Sequence, residues 1–168
     1  HEPRNVVITL RADELSTPTV IAEGADFVLG PRWSPDGAAI SWIEWNHPNM
    51  PWDETRLVVR QADGTSTIVA GAGDRESVCQ ADWAADGSLW FSSDRRGFWS
   101  LYRWDPATGT TTTMVELDDA DIGFPAWNFG ERCFALLPSG ACVFWYSAGG
   151  RHHLGRRRAD GVVERLAT

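Results

Sequence analysis

Short runs of β-branched and aromatic residues alternate with glycine-containing turns along most of the chain. Residues of this kind favour β-strands, and no segment shows a helical repeat of useful length. The pattern therefore predicts an all-β protein. The clearest runs occupy residues 6–10, 19–22, 39–45, 56–61, 66–69, 89–93, 99–104, 111–117, 142–146, 153–158 and 162–166.

The turns recur with a fixed rhythm. One kind comprises Asp36-Gly37, Asp86-Gly87 and Ser139-Gly140, whose glycines lie 50 and 53 positions apart. A second kind, Asp63-Gly64, Thr108-Gly109 and Asp160-Gly161, follows the first by 27, 22 and 21 positions. Each repeat thus contains two hairpins, and four-stranded antiparallel repeats of this length are typical of β-propeller blades.

The repeat predicts a partial β-propeller of about three and a half four-stranded antiparallel blades. A β-sandwich also has short strands and regular turns, but the recurring Trp-x-x-Asp-Gly signal and the alternating hairpins favour blades. The predicted units are the outer half of a blade at 1–23 and three blades at 24–71, 72–118 and 119–168.

Two segments resemble a known family. The Trp-Ser-Pro-Asp-Gly motif at 33–37 is a general propeller signature, whereas the His-Pro-Asn-Met-Pro-Trp-Asp run at 47–53 is more distinctive. With 76–87 and 91–103, these residues resemble the propeller of bacterial dipeptidyl aminopeptidases and acylaminoacyl-peptidases, a branch of the prolyl oligopeptidase family of serine peptidases. The resemblance implies a propeller that restricts the access of short peptides to an α/β-hydrolase domain with a Ser, Asp and His triad.

The chain itself offers no catalytic machinery. It has no Gly-x-Ser-x-Gly pentapeptide, which such a hydrolase needs to expose its nucleophile, and 168 residues are too few for a propeller plus a hydrolase domain. We therefore expect a noncatalytic portion of a peptidase, with no catalytic, cofactor-binding or metal-binding residue. The adjacent His152 and His153 point to opposite sides of a strand, which does not suit a shared metal.

Charge and cysteine content narrow the partners and the compartment. The net charge of −8 disfavours nucleic acid, and no apolar run approaches the length of a membrane span. Three cysteines without paired spacing suit a reducing cytoplasm. The three consecutive arginines at 156–158 suggest a charge cluster that protects the edge of a sheet.

The topology of a blade separates its connections into two sets. The tight glycine turns fall on one rim, and the long aromatic-rich connections fall on the other, which we expect to face the hydrolase domain. The candidate contacts with that domain, or with a peptide substrate, are His47, Trp52, Asp53, Asp94, Arg95 and Arg96.

Three other readings stay open at this stage. A standalone Tol-type propeller would use the same blades to bind a partner protein. A propeller enzyme such as a lactonase would need converging Glu, Asp and Asn ligands for a divalent ion, and the chain shows no convincing set. Because three and a half blades leave strand edges and apolar faces open, self-association of two copies is also expected.

Overall fold

The computed structural model describes residues 3–13, 17–73, 75–126 and 128–166. Within these residues the regular secondary structure consists of fourteen β-strands, with no helix. The strands are β1 (Val6–Thr9), β2 (Thr19–Glu23), β3 (Phe27–Trp33), β4 (Ala39–Trp45), β5 (Arg56–Gln61), β6 (Ser66–Ala70), β7 (Val78–Trp83), β8 (Leu89–Ser93), β9 (Ser100–Asp105), β10 (Thr110–Val115), β11 (Phe134–Leu136), β12 (Cys142–Ala148), β13 (Arg151–Arg157) and β14 (Val163–Leu166).

The strands form three four-stranded antiparallel sheets and one two-stranded sheet. Strand order follows chain order in every sheet: β3 to β6 in the first blade, β7 to β10 in the second and β11 to β14 in the third. Strands β1 and β2 pair with each other ahead of the first blade. The predicted fold class, an all-β partial propeller of about three and a half blades, is confirmed.

Both faces of the first blade are packed, as a stack of blades requires. In β4, Ile43 and Trp45 join the main core, which continues through the second and third blades. Ile40 and Trp42 of the same strand point the other way and pack with Val7 of the two-stranded sheet. Because successive residues of a strand face opposite sides, one strand serves two interfaces, and its run of apolar residues shows no polar alternation.

Side chains on the innermost strand join the second blade to the third. The amide oxygen of Gln80 accepts hydrogen bonds from the backbone N–H of Cys133 at 2.7 Å and of Phe134 at 3.3 Å. Its amide nitrogen donates to the Phe134 carbonyl at 2.9 Å and to the Asp82 carboxylate. Gln80 thus provides hydrogen-bond partners for the backbone groups at the start of β11. These groups are buried, and without Gln80 they would lose these partners.

The structure corrects the interpretation of the three arginines at 156–158. Strand β13 pairs with β12 on one side and with β14 on the other, so it is an interior strand and has no edge to protect. Arg156 and Arg158 bind acidic side chains of β14 and of the preceding turn. Arg157 points to the opposite face of the sheet, towards the second blade.

The described part of the chain has no helix with the length and apolar character needed to cross a membrane.

Candidate functional site

The connections at the two ends of the strands differ in length. One rim, the first rim, has the tight hairpin turns at 34–38, 62–65, 84–88, 106–109, 137–141 and 158–162. The opposite rim, the second rim, has the longer connections at 46–55, 71–77, 94–99 and 116–133 together with the short turn at 149–150. All six candidate residues from the sequence lie on the second rim.

An aromatic pocket opens on the second rim beside the distinctive 47–53 loop. Its volume is about 260 Å³. Phe27 and Trp45 stack with ring centres 5.2 Å apart and form one wall. The pocket is lined by Asn5, Phe27, Val28, Trp45, Met50, Pro51, Trp52, Ala126 and Phe129.

Two of the candidate residues shape this loop, and a third reaches the pocket. The ring of His47 meets Phe27 edge to face at 4.8 Å, and its backbone N–H donates to the Asp26 carboxylate at 2.9 Å. Asp53 accepts a hydrogen bond from the Met50 N–H at 2.9 Å. Trp52 is half-buried and lines the pocket. His47 and Asp53 therefore support the loop, whereas Trp52 can contact a bound group.

The exposed members of the pocket make it a contact surface. Phe129 is 79% exposed and Met50 is 40% exposed. Clusters of exposed large apolar side chains are a feature of surfaces at which proteins bind ligands or other proteins. Sequence reasoning missed Phe129, because a single aromatic residue in a long connection has no periodic signal.

Glu76 forms the centre of a polar cluster beside this pocket. Its carboxylate accepts from the Arg95 guanidinium at 2.8 Å and from the hydroxyl of Ser93. The Gly71 N–H donates to its second oxygen at 2.8 Å. The Arg95 guanidinium also lies over the Tyr102 ring, 4.7 Å from its centre. Arg95 is thus held by a carboxylate and an aromatic ring inside the second blade, and 27% of its side chain is exposed.

Asp94 and Arg96 flank that cluster with different partners. The Asp94 carboxylate accepts from the Ser77 N–H at 2.6 Å. Burial raises the pKa of Asp94 above its ordinary value, this hydrogen bond offsets part of the rise, and the nearby carboxylates of Glu76 and Asp121 add to it. Arg96 points outward and pairs with Glu116 at 3.1 Å, where both side chains are exposed.

The pocket and the polar cluster are joined across the first two blades. The Ser77 hydroxyl donates to the Pro51 carbonyl at 2.8 Å, and the Val78 N–H donates to the Thr55 hydroxyl at 2.7 Å. The Thr55 N–H donates to the Glu76 carbonyl at 2.9 Å. These three bonds hold the 47–53 loop against the start of β7. Trp52 and Asp53 are thereby brought near Asp94 and Arg95, while no described contact joins His47 to Arg96.

Three charged residues near the propeller axis form a second group that sequence reasoning missed. Asp82 of β7 is 2.7 Å from the Arg132 guanidinium and 3.7 Å from that of Arg32 in β3. The Asp82 side chain is 12% exposed, and the two arginine side chains are about half exposed. One carboxylate thus links the innermost strands of the first two blades with the entry to the third. No local signal pairs residues 50 positions apart.

The described residues include no group of three or more His, Cys, Asp or Glu side chains arranged to hold a metal ion.

Comparison with known proteins places these features in a family. No family model matches the chain, and no curated protein matches it. A crystal structure of puromycin hydrolase complexed with PGG superposes with a TM-score of 0.79 at 36% identity over 89% of this chain. A puromycin-hydrolyzing peptidase of Mycobacterium tuberculosis superposes with a TM-score of 0.81 at 28% identity over 90% of this chain. The chain is a propeller segment of the prolyl oligopeptidase family.

This propeller segment covers 23% of the length of each of these two structures. Prolyl oligopeptidase B from Galerina marginata matches 98% of the segment with a TM-score of 0.70 at 11% identity. TolB from Acinetobacter baumannii matches 90% of it with a TM-score of 0.62 at 19% identity. At such low identities the likeness establishes the fold alone, so it does not favour the Tol-type alternative over a peptidase.

Proposed function

We propose that this chain is the noncatalytic propeller portion of a serine peptidase, and that it controls the access of short peptides to an α/β-hydrolase domain of the same protein. The parent belongs, in this proposal, to the bacterial dipeptidyl aminopeptidase and acylaminoacyl-peptidase branch of the family. The observation that carries the proposal is the aromatic pocket on the second rim, beside the 47–53 loop.

The construction of the second rim supports this role. A surface that positions a neighbouring domain has to be rigid, and the loop that forms the pocket is hydrogen-bonded to the next blade through Ser77 and Thr55. The exposed Phe129 and Met50 offer apolar area for a second surface. Asp94 and Arg96 extend the same rim with charged groups that suit a polar margin around an apolar contact.

The likeness to puromycin-hydrolyzing enzymes supports a peptidase parent. The 36% identity runs over nearly the whole described chain. These relatives are enzymes that hydrolyse puromycin, and the structure of one of them contains PGG. By analogy, we propose short peptides and puromycin-like amides as the substrate class of the parent protein.

The test uses the protein expressed from its complete coding region. We expect a Gly-x-Ser-x-Gly motif in that product and hydrolysis of short peptides. Replacing Phe129 by Ala should weaken docking of the hydrolase domain and admit longer chains. The kcat/KM ratio for a peptide of about 20 residues over a tripeptide should rise about threefold or more.

Phe98→Ala is the matched control, because Phe98 is 41% exposed on the same rim but does not line the pocket. The ratio should stay unchanged in this variant. A complete product without the motif and without peptide hydrolysis would refute the peptidase assignment. Equal effects of the two variants would refute the role of the pocket while leaving the assignment in place.

A further inference from the structure

A second cavity lies on the first rim, at the opposite end of the strands from the aromatic pocket. It is a cleft of about 540 Å³ between the second and third blades, which we call the interblade cleft. Both of these blades are complete four-stranded sheets, so both walls of the cleft are present in this chain. Its lining includes Asp86, Trp90, Arg103, Met114, Leu136 and Arg157.

The floor of the interblade cleft is apolar. Trp90 of β8 is 5% exposed and lies at the base. Met114 of β10 and Leu136 of β11 are half-buried and flank it from the two blades. A floor of this kind accommodates one apolar side chain of a ligand, since binding there removes apolar surface from water.

The charges in the cleft are unbalanced. Arg103 pairs with Asp86 at 3.3 Å, and the other oxygen of Asp86 accepts two hydrogen bonds from Ser88. Arg157 has no acidic partner among the ion pairs of residues 3–13, 17–73, 75–126 and 128–166. The cleft therefore has a net charge of about +1 in a chain whose formal charge is −8.

Arg157 packs against Trp90 in the interblade cleft. Its guanidinium lies over the Trp90 ring, 5.7 Å from the ring centre. One terminal nitrogen donates to the Arg158 carbonyl at 3.2 Å, and the buried Nε has no hydrogen-bond partner. A guanidinium that lies over an aromatic ring keeps its charge, and its remaining terminal N–H groups can donate charge-assisted hydrogen bonds to a carboxylate.

The surroundings of Arg157 leave its charge uncompensated. Burial raises the pKa of the neighbouring Cys142 thiol to about 12, so this group is neutral near pH 7 and supplies no negative charge. Arg156 and Arg158, the adjacent residues in β13 and the turn after it, both have carboxylate partners in Glu164 or Asp160. The three consecutive arginines thus divide into two paired ones on the surface and one unpaired one in the cleft.

We propose that the interblade cleft binds the C-terminal end of a short peptide, with its carboxylate on Arg157 and an apolar last side chain against Trp90 and Met114. The volume of about 540 Å³ is that of a small-ligand site, which suits a chain end better than a strand that passes through. The site lies on the rim away from the aromatic pocket. It does not depend on the function proposed above, because binding can be measured without any hydrolase activity.

The test measures binding of acetyl-Gly-Gly-Leu to the purified chain by NMR titration. The indole N–H signal of Trp90, assigned with a Trp90→Phe variant, should shift with increasing peptide. The C-terminal amide of the same peptide should bind more weakly, by a factor of about ten or more, because it lacks the charge that Arg157 recognises. Both peptides are titrated into the unmodified protein, and the Trp90→Phe variant serves only to assign one signal.

Two variants locate the site. Arg157→Gln should weaken binding of the acid about tenfold or more, whereas Arg156→Gln should leave it unchanged. Equal binding of acid and amide, equal effects of both variants, or no shift of Trp90 at about 10 mM peptide would overturn the proposal. A peptide amide with an internal Asp, acetyl-Asp-Gly-Leu-amide, provides the last check. If it binds as tightly as the acid, the C-terminal assignment is wrong.

Discussion

The first and second rims use different kinds of hydrogen bond. On the first rim, Asp36, Asp63, Asp86 and Asp160 each accept from a backbone N–H two residues further on. On the second rim, groups of adjacent blades that lie 23 to 26 positions apart are joined, as between Ser77 and Pro51 or Val78 and Thr55. The first rim therefore closes hairpins within a blade, and the second rim ties one blade to the next.

The carboxyl groups of the two rims respond to this difference. A hydrogen bond from the Ser34 hydroxyl, together with the Ala38 N–H, lowers the pKa of the exposed Asp36 on the first rim. On the second rim, burial raises the pKa of Asp94. The hydrogen bonds of an exposed turn thus stabilise the ionised carboxylate of Asp36. Partial burial on the second rim disfavours the ionised form of Asp94.

Substitution of Gly71 on the second rim should cause the largest loss of stability. Gly71 has a φ of +78°, and a Cβ at this position would lie 1.8 Å from the Thr55 carbonyl oxygen. Because that oxygen belongs to the backbone of the joint, Gly71→Ala should reduce the free energy of unfolding by about 4 kcal/mol or more, or abolish folding. Urea unfolding followed by tryptophan fluorescence measures this loss.

Gly37→Ala is the matched change on the first rim. Its φ is +70°, but a Cβ there would meet nothing within 4 Å. Only the backbone strain remains, so the loss should be about 1 kcal/mol. Similar losses at the two glycines would show that the second rim is not the more tightly packed.

Thr55→Val tests a single buried hydrogen bond of the second rim. Thr55 is 1% exposed, and valine keeps its shape while it removes the hydroxyl that accepts from the Val78 N–H. The unpaired N–H should cost about 1 to 3 kcal/mol of unfolding free energy. Thr65→Val on the exposed first rim should change it by about 0.5 kcal/mol or less. A neutral Thr55→Val would mean that this bond does not hold the joint.

Glu76→Gln tests the polar cluster. The variant keeps an oxygen that can accept from Arg95 or from the Gly71 N–H, but it loses the charge. Because the Glu76 side chain is only 12% exposed, the loss should be about 1 to 2 kcal/mol and should depend less on salt than that of an exposed pair.

Glu116→Gln provides the comparison for an exposed pair on the same rim. Glu116 and Arg96 are 39% and 59% exposed, so their pair should contribute about 0.5 kcal/mol or less and be screened by salt. If both variants lose the same amount at every salt concentration, burial does not distinguish the two pairs.

Asp94→Asn should have the smallest effect, visible in the pH dependence of stability. With its pKa raised above the ordinary value of 3.8, Asp94 favours the folded state while it is protonated, and this contribution is lost as the pH rises through the folded pKa. Asp94→Asn should therefore remove this decrease of stability with rising pH. Asp36→Asn should act in the opposite sense, because the lowered pKa of Asp36 adds stability that disappears on acidification.

Unfolding of both variants between about pH 3 and pH 7 checks the two directions. Each variant should change the slope of unfolding free energy against pH, relative to the unmodified chain. If the two changes have the same sign, the contrast between the rims is wrong.

The first rim could be read from the sequence because its chemistry is local. An Asp-Gly pair contains both the acceptor and the residue that adopts the turn, as at Asp36 and Gly37. The strands between such turns were also predictable, including the Thr-rich β10 at the edge of its sheet. The inner strand β11 was harder, since three residues are too few to show a period.

The sequence indicated which residues lie on the second rim but not which contacts they make. The candidate residues were placed there by blade topology, yet the partner that holds Arg95 lies 19 positions away, and local patterns do not reveal such pairs. The same limit explains why the role of Arg157 was missed. A run of three arginines on a strand looks uniform in sequence, whereas alternation of side chains gives the middle one different surroundings from its neighbours.

The Gln80 amide has a consequence for how such proteins diversify. Besides Asp82 of its own blade, it binds groups of the third blade that all belong to the main chain: the N–H of residues 133 and 134 and the carbonyl of residue 134. Every amino acid except proline supplies these groups, whatever its side chain. The hydrogen bonds of Gln80 therefore constrain the backbone of the third blade at residues 133 and 134 but not the identity of the side chains there. Those side chains are constrained separately, because Cys133 and Phe134 are buried in the core.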